Sequence, residues 1–301
     1  MYHIPALLIQ TIEGLNINSE GVYVDATFGG GGHSLAILEQ LGSTGKLFGF
    51  DQDEDAAANA PDDRRFTFVR SNFRFLKNFL RYYNIEEVDG ILADLGVSSH
   101  HFDRQERGFS FRFDAPLDMR MNNHAALTAK EVINTYSQEN LANIFYNYGE
   151  LSQAKQIAKI IVTERTKQEI TTSAHFVDIL QRIFPKEKER KGVTLVFQAI
   201  RIEVNDELAS LKSFLQQTVD ALKPQGRLAV ITYHSLEDRL VKNFMRSGNF
   251  FGQIEKDFYG NIISPLKPLY NKPVTPSDHE IEENPRSRSA KLRVAIKHRS
   301  Y

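Results

Sequence analysis

Residues 22–34 read VYVDATFGGGGHS. The hydrophobic run predicts a strand over 22–26, the glycines of 29–32 predict a turn, and a helix is expected to begin near His33. Glycine has no Cβ atom, so the backbone of this turn can approach a ligand closely. The stretch therefore predicts a strand–turn–helix unit of an α/β fold with a binding loop at its turn.

A second strand is predicted at residues 46–51, KLFGFD. Its last residue, Asp51, follows the glycine run by about 20 residues, where doubly wound folds place the acid that binds ribose hydroxyls. A cofactor that carries a nucleoside is therefore the first hypothesis. The alternative that remains open is a glycine-rich turn without a ligand, because glycine is common in turns of every kind.

The spacing of the glycines decides which nucleoside is favoured. A dinucleotide fingerprint G-x-G-x-x-G that starts at Gly29 reaches Ser34, and one that starts at Gly30 reaches Leu35, so the nicotinamide pattern fails. Asp25 precedes the loop, and its carboxylate would repel a pyrophosphate but suits an ammonium or a sulfonium group. This pattern favours S-adenosylmethionine, with Asp25 among its candidate contacts.

Composition places the chain among ordinary globular proteins. It has 301 residues, of which 41% are hydrophobic and 25% charged, with a net charge of -1. The absence of cysteine excludes disulfides and thiolate metal sites and fits a reducing cytoplasm. The sequence lacks an apolar run of about 18 residues, and its first residues, MYHIPALLIQTIEG, lack a basic leader, so we expect neither a membrane span nor a signal peptide.

The charge is unevenly distributed at the C-terminal end. No acidic residue follows Glu283, whereas six cations do: Arg286, Arg288, Lys291, Arg293, Lys297 and Arg299. Such a basic patch suits a polyanionic partner. The alternative is that it only keeps the chain soluble.

Further strands are predicted at 65–69, 88–94 and 227–233, the last after a helix over 206–222 and a turn at 223–226. Strands four and five are separated by roughly 130 residues, whereas a single α/β crossover needs on the order of 30. We therefore predict a doubly wound, mostly parallel α/β sheet, with a small all-α domain at 102–200 inserted into a domain formed by 1–101 and 201–301.

The insert shows helical periodicity, because apolar residues recur at three- and four-residue spacing: Leu151, Ala154, Ile157, Ala158, Ile161 and Val162. An insertion after the carboxyl end of a strand is expected to cap the cofactor pocket and to recognise substrate; the alternative is an insertion with its own core and no such role. Residues 260–284 are expected to form a long loop, and the alternation of residues 291–297 predicts an edge or antiparallel strand.

Two motifs carry candidate chemistry. Asp94, in ADLGVSS at 93–99, follows strand four beside the expected glycine loop, where an acceptor oxygen could orient an exocyclic amine; the alternative is a turn cap. In YHSLEDR at 233–239, Ser235 and Asp238 have capping spacing, and His234 stands just before them as a candidate for proton handling.

Six motifs together resemble one known family. They are DATFGGGGHS at 25–34, ADLGVSS at 93–99, ERGFSF at 106–111 with PLDMRM at 116–121, FQAIRIEVN at 197–205, YHSLEDR at 233–239 and NPRSRS at 284–289. The chain resembles the bacterial ribosomal RNA small subunit methyltransferase H family, also called MraW, from His3 to about Arg293. The resemblance implies a Rossmann-like fold and N4 methylation of a cytidine in 16S ribosomal RNA with S-adenosylmethionine.

The resemblance also implies a set of cofactor contacts: Gly31, Gly32, His33, Asp51, Phe73, Asp94 and His101. Two positions depart from the family pattern. His101 stands where relatives carry glutamine, and KGVTLVFQ at 191–198 lacks the threonine and arginine that relatives show before the PheGln pair. If that segment touches RNA, a basic contact has been lost.

The implied partner is 16S ribosomal RNA or the small ribosomal subunit, bound by a monomer or homodimer. Candidate phosphate contacts are Arg104, Arg107, Arg112, Arg120, Arg286 and Arg288, each of which could instead form a surface salt bridge. No metal is needed, because a sulfonium is already activated. The alternatives are a module that binds the cofactor or a nucleotide without turnover, and a methyltransferase that acts on another nucleic-acid amine.

Overall fold

The computed structural model describes residues 5–96, 108–111 and 113–298. The chain divides into two compact units. The first consists of Met1–Gly96 and Leu208–Tyr301, and the second is Val97–Glu207. The second unit thus begins and ends several residues outside the 102–200 range expected from the sequence.

Seven strands of the described residues form one sheet in the first unit. They are β1 Val22–Asp25, β2 Lys46–Asp51, β3 Phe66–Arg70, β4 Val88–Asp94, β5 Leu222–Thr232, β6 Leu266–Pro268 and β7 Lys291–Lys297. The strand order is β3-β2-β1-β4-β5-β7-β6. The first five strands are parallel, whereas β7 runs antiparallel to both β5 and β6. The predicted mostly parallel α/β sheet is confirmed.

The helices of the described residues are α1 Leu8–Leu15, α2 Gly32–Gln40, α3 Leu76–Tyr82, α4 Ala129–Thr135, α5 Gln138–Asn147, α6 Ala154–Arg165, α7 Ser173–Gln181, α8 Glu189–Asn205, α9 Glu207–Ala221, α10 Ser235–Ser247 and α11 Asp278–Glu283. Over these parts of the chain, every helix is too short or too polar to cross a membrane.

The sheet is buried on both faces. In β4, Ile91 and Ala93 belong to a cluster with α3, α9 and α10, whereas Leu92 packs with α1 and α2 on the opposite face. Successive side chains of a strand point to opposite faces, so a strand covered on both sides must be apolar at nearly every position. This explains the continuous hydrophobic run that predicted the strand.

The strand order reverses between β1 and β4, which pair side by side in the middle of the sheet. β1 ends at Asp25 and β4 ends at Asp94. In open α/β sheets, ligands bind outside the carboxyl ends of the strands at such a switch point. The topology therefore brings the two carboxylates and the glycine loop to the position where a ligand is expected.

The second unit has a helical core of its own. The buried face of α6 consists of Ala154, Ile157, Ala158 and Ile161, in agreement with the predicted periodicity. It packs in one cluster with residues of α4, α5, α7 and α8. Helix α4 begins with a capping box, in which Thr128 and Glu131 each accept from the other's backbone N–H.

Two predictions about irregular regions were wrong. The turn predicted at 223–226 lies inside β5 as a bulge: Val88 pairs with Leu222 and Gly90 with Arg227, and Gln225 takes a left-handed φ of 71°. Residues 260–284 include β6 and α11 rather than a continuous loop. The prediction of an edge or antiparallel strand at 291–297 is confirmed: β7 runs antiparallel to both β5 and β6, and it lies inside the sheet because β6 pairs with its outer side.

Candidate functional site

The glycine loop connects β1 to α2 by a turn that needs glycine at two positions. Gly29 has φ 51° and Gly31 has φ 79°, both in the left-handed region. A Cβ atom at Gly31 would lie 3.0 Å from the ring of Phe28, and one at Gly32 would lie 2.9 Å from Pro5. At Gly30 a Cβ atom would meet nothing within 4 Å. Gly30 therefore borders open space.

Asp51 holds the start of this loop. Its Oδ2 accepts a hydrogen bond from the backbone N–H of Gly29 at 2.8 Å, and its Oδ1 accepts one from Asp53 N–H at 2.8 Å. An ionised carboxylate has about four lone-pair sites. Asp51 therefore orders the start of the loop, at the place where the sequence predicted such an acid.

Asp25 lies behind the loop, with its side chain almost fully buried. Its Oδ1 accepts from the N–H of Thr27 at 3.1 Å, and its Oδ2 accepts from the hydroxyl of Ser34 at 2.7 Å. Burial raises the pKa of Asp25, while His33 and these two donors oppose the rise. The geometry thus gives Asp25 a positioning role that joins β1 to α2, instead of the expected direct contact with a ligand.

His33 is buried in the first turn of α2. Its Nε2 lies 3.2 Å from the carbonyl oxygen of Ala6, which can only accept, so Nε2 carries a proton and donates. Its Nδ1 lies 3.9 Å from Oδ2 of Asp94. The structure therefore brings two of the residues implied by the family resemblance, His33 and Asp94, next to each other.

Asp94 is the most accessible carboxylate at the switch point, with 20% of its side chain exposed. Its backbone N–H donates to Oγ1 of Thr27 at 2.6 Å, and its Oδ1 accepts from the N–H of Gly96 at 3.1 Å. Burial raises its pKa, and the neighbouring His33 and hydrogen bonds from Gly96 and Tyr233 oppose this rise. Asp94 therefore caps a turn, which was the alternative role predicted from the sequence. Its carboxylate can also accept further hydrogen bonds.

Sequence reasoning did not single out Tyr233. It follows the last residue of β5, and because β5 is parallel to β4, its hydroxyl reaches the carboxylate of Asp94 and donates a hydrogen bond to it. Burial and the charge of Asp94 raise the pKa of Tyr233, so it remains a donor. Its backbone N–H donates in turn to Oε2 of buried Glu237 at 3.0 Å. The sequence signal that could have identified Tyr233 was its position at the carboxyl end of the predicted strand next to the one that ends at Asp94.

His234 is the N-cap of α10, a role that the sequence assigned to Ser235. Its Nδ1 accepts from the N–H of Glu237 at 3.5 Å, and its Nε2 lies 3.0 Å from Oε1 of Glu237 without hydrogen-bond alignment. Ser235 is exposed. His234 is thus directed toward the first turn of its own helix.

Phe73 begins a 3₁₀ turn after β3. Its ring packs edge-on against Phe214, with centroids 5.1 Å apart, and the residue is half-buried. The side chain therefore belongs partly to the core and keeps part of its surface available for an apolar ligand.

The candidate RNA-binding arginines divide into three groups. Arg120 forms a two-point ion pair with Asp118 and donates to the carbonyl of Ala125 at 2.7 Å, which agrees with the salt-bridge alternative. Arg286 and Arg288 are exposed in a 3₁₀ turn, Pro285–Ser289. The third group, Arg104, Arg107 and Arg112, lies outside the described residues. The same is true of His101 and Arg299.

The basic C-terminal end is less available to a polyanion than its sequence implied. Arg293 is bound by both oxygens of Asp238, at 2.7 and 3.2 Å, and Lys291 lies 3.7 Å from the same carboxylate. Lys297 lies 3.6 Å from Glu87. These three cations are balanced within the first unit, because β7 places them beside acidic residues from distant parts of the chain.

Comparison with known proteins gives a consistent result over nearly the whole chain. The family model described as the MraW methylase family matches residues 1–298. A ribosomal RNA small subunit methyltransferase H from Bacteroides thetaiotaomicron is 59% identical over 296 residues, which are 98% of this chain and 97% of that protein. One from Parabacteroides distasonis is 58% identical over 297 residues, with the same coverage.

Among solved structures, an rRNA methylase from Streptococcus thermophilus covers 98% of this chain and 99% of its own, with a TM-score of 0.45 and 11% identity. The match of the family model and the identity to the curated relatives span the motifs whose residues form the glycine loop and the switch point. The chain belongs to the MraW methylase family of ribosomal RNA small subunit methyltransferases.

Proposed function

We propose that this protein transfers the methyl group of S-adenosylmethionine to the exocyclic N4 amine of a cytidine in small-subunit ribosomal RNA. The observation that supports this most is the carboxylate of Asp94, which is partly exposed at the switch point and held between Gly96 N–H, Tyr233 OH and His33. A fixed acceptor beside a cofactor loop suits the orientation of an amine.

The residues of the loop fit the proposed cofactor. Gly30 borders open space. The N-cap of α2, Gly31, supplies no side-chain cap, so the N–H groups of the first turn are suited to a carboxylate such as that of the methionine part. Asp51 would accept from the ribose hydroxyls and the ring of Phe73 would face the adenine. When bound, the cofactor supplies a methyl group that its sulfonium charge has already activated.

The carboxylate of Asp94 would act on the substrate amine. The N4 lone pair of cytosine is delocalised into the ring, so the amine needs an acceptor that turns its lone pair toward the methyl carbon. In the transfer the N4–carbon bond forms, the sulfur–carbon bond breaks, and N4 loses one proton. We infer that this proton leaves along the hydrogen bond to Asp94, with solvent as its final acceptor.

The second unit is proposed to contribute to RNA recognition, because it is inserted directly after the carboxyl end of β4. A protein that only binds the cofactor would have no use for a partly exposed carboxylate that three neighbours keep in place. This distinction favours catalysis over binding without turnover.

The test is to incubate the full chain with methyl-labelled S-adenosylmethionine and either naked 16S ribosomal RNA or intact small subunits that lack the modification. The RNA is then digested to nucleosides, and we expect label in N4-methylcytidine. Asp94→Asn should lower turnover at saturating cofactor by about 10²-fold or more. Label in a different nucleoside, or none with either substrate, would contradict the proposal.

A further inference from the structure

Three large aromatic side chains within a short segment are almost fully exposed. In the aromatic segment, which we define as residues 249–263, Phe251 is 84% exposed, Phe258 is 98% exposed and Tyr259 is 86% exposed. Aromatic side chains contribute strongly to burial and to interfaces. A cluster of them in water therefore indicates an interaction surface.

The tip of this segment is held in one conformation by its own hydrogen bonds. Asp257 accepts from the backbone N–H groups of Tyr259 at 2.9 Å and Asn261 at 2.8 Å, and from the Asn261 side-chain amide at 3.0 Å. Gly260 has φ 86° and donates to the carbonyl of Asp257. The rings of Phe258 and Tyr259 are 5.7 Å apart at 89°. The turn thus presents two rings whose backbone is already ordered.

The base of the segment is fixed to α10. The ring of Phe250 stacks on Phe244, with centroids 5.1 Å apart and an angle of 19°. Asn249 accepts from the N–H groups of Phe251 and Gln253, each at 3.1 Å, and donates to the carbonyl of Gln253 at 2.7 Å. The backbone that carries the exposed rings is therefore ordered before a partner binds, which lowers the entropic cost of binding.

Exposed cations accompany the aromatic rings along the chain. Lys256 lies within the aromatic segment, and Lys267 of β6 and Lys272 follow it closely in sequence. Over residues 249–272 these three lysines outnumber the two acids, Glu255 and Asp257, although the turn's hydrogen bonds hold the pKa of Asp257 below its usual value and keep it charged. Lysine is depleted from protein–protein interfaces, whereas aromatic rings interleaved with lysine are typical of surfaces that bind single-stranded nucleic acid.

We propose that Phe258 and Tyr259 stack on unpaired bases of the RNA substrate while Lys256, Lys267 and Lys272 contact its phosphates. The identity of that RNA rests on the proposed function, but the stacking itself is tested without methyl transfer.

The chain contains no tryptophan, so Phe258→Trp introduces a single fluorescent reporter at the tip. The probe is a single-stranded pyrimidine RNA of about twelve nucleotides, within the range of known single-strand sites, and the comparison is an abasic strand of the same length. We expect the RNA with bases to quench the tryptophan and the abasic strand to leave it nearly unchanged. Tyr82→Trp, at a position that is 74% exposed on α3, is the control and should show no quenching.

A second measurement separates stacking from general apolarity. The double variant Phe258→Leu with Tyr259→Leu should weaken RNA binding on the order of tenfold or more. It should also raise KM for ribosomal RNA with the cofactor affinity unchanged. Exchanging the two rings, as Phe258→Tyr with Tyr259→Phe, should keep wild-type affinity, and Tyr82→Leu should have no effect.

The inference is overturned if the leucine variant binds RNA as tightly as the wild type. It is also overturned if the fluorescence of the Phe258→Trp variant changes with intact small subunits but not with naked RNA, because the tip would then contact a ribosomal protein. If the wild type binds RNA more tightly than the leucine variant but transfers no methyl group, the proposed function is refuted and the stacking surface stands.

Discussion

The hydroxyl of Tyr233 donates a hydrogen bond to the carboxylate of Asp94 across the carboxyl ends of two neighbouring parallel strands. A hydrogen bond to the charged form of an acid favours ionisation. In a site where burial disfavours the charge of Asp94, this donor keeps the acid available as an acceptor. The same contact fixes the orientation of the carboxylate at the switch point.

Tyr233→Phe should therefore move the acid limb of the pH–rate profile to higher pH. Burial already raises the pKa of Asp94, and loss of the hydroxyl removes one of the interactions that oppose this rise. Because the proposed acceptor is the ionised form, turnover should fall at a higher pH than in the wild type and recover as the pH increases. The measurement is kcat against pH at saturating cofactor and RNA.

The control is Tyr270→Phe, which removes a hydroxyl from a tyrosine that is 44% exposed. Its profile should match the wild type. An unshifted pH–rate profile for Tyr233→Phe would show that the hydroxyl of Tyr233 does not influence the ionisation of Asp94.

Two glycines of the loop should respond differently to alanine. Gly31→Ala forces a side chain into a left-handed φ of 79° and against the ring of Phe28, so the free energy of unfolding should fall by about 1–2 kcal/mol. Gly30→Ala adds a methyl group to open space, so stability should change by less than about 0.5 kcal/mol. Its cofactor affinity should nevertheless fall, because the methyl group would occupy the side of the loop that is proposed to face the cofactor.

Urea denaturation and equilibrium binding of S-adenosylmethionine distinguish these effects. If Gly30→Ala bound the cofactor with wild-type affinity, the open side of the loop would not be the binding side.

Asp51→Asn should weaken cofactor binding by roughly 10- to 100-fold, since charge-assisted hydrogen bonds contribute about 1.5–3 kcal/mol. The variant removes the charge that binds Gly29 N–H and the proposed ribose hydroxyls. Turnover at saturating cofactor should change little. The control is Asp63→Asn, because Asp63 forms an ion pair outside the loop in which Arg65 lowers the pKa of the acid to about 2. The cofactor affinity of this variant should be unchanged. Equal cofactor affinities for the two variants would contradict the role of Asp51.

Arg293→Ala should destabilise the fold by about 3 kcal/mol, because it leaves the carboxylate of Asp238 without its main partner. The two side chains are only 12% and 15% exposed. Burial opposes the ionisation of Asp238, but the hydrogen bond and charge of Arg293, together with the charges of Lys291 and Lys242, outweigh it and lower the pKa.

A depressed pKa contributes stability above the ordinary value of 3.8 and loses it as pH falls through the folded-state value. The difference between wild type and Arg293→Ala should therefore be largest near neutral pH and shrink below pH 3.8. The exposed Arg288→Ala is the control, with an expected change within about 0.5 kcal/mol. Equal stability of the two variants by denaturant titration would show that the Asp238 pair has no net effect.

Much of the sheet could be predicted because its strands are locally encoded. The bounds of β2 and β4 agree with the hydrophobic runs from which they were predicted. β6 was missed because it has three residues and no periodicity of its own; it forms only by pairing with β7. Residues 223–226, KPQG, predict a turn because proline and glycine are typical of turns. The strand pairing that continues on both sides of this bulge is a long-range property that the local sequence does not show.

The sequence alone determined the glycine loop, the carboxylates that end β1, β2 and β4, and the family, because strand period and motif spacing are properties of consecutive residues. Only the tertiary structure decided that Asp25 is buried behind the loop, that Tyr233 lies beside Asp94, and that Arg293 is bound by Asp238. The physical reason is that burial and hydrogen bonding depend on which distant strands pair side by side, and chain order does not specify these neighbours.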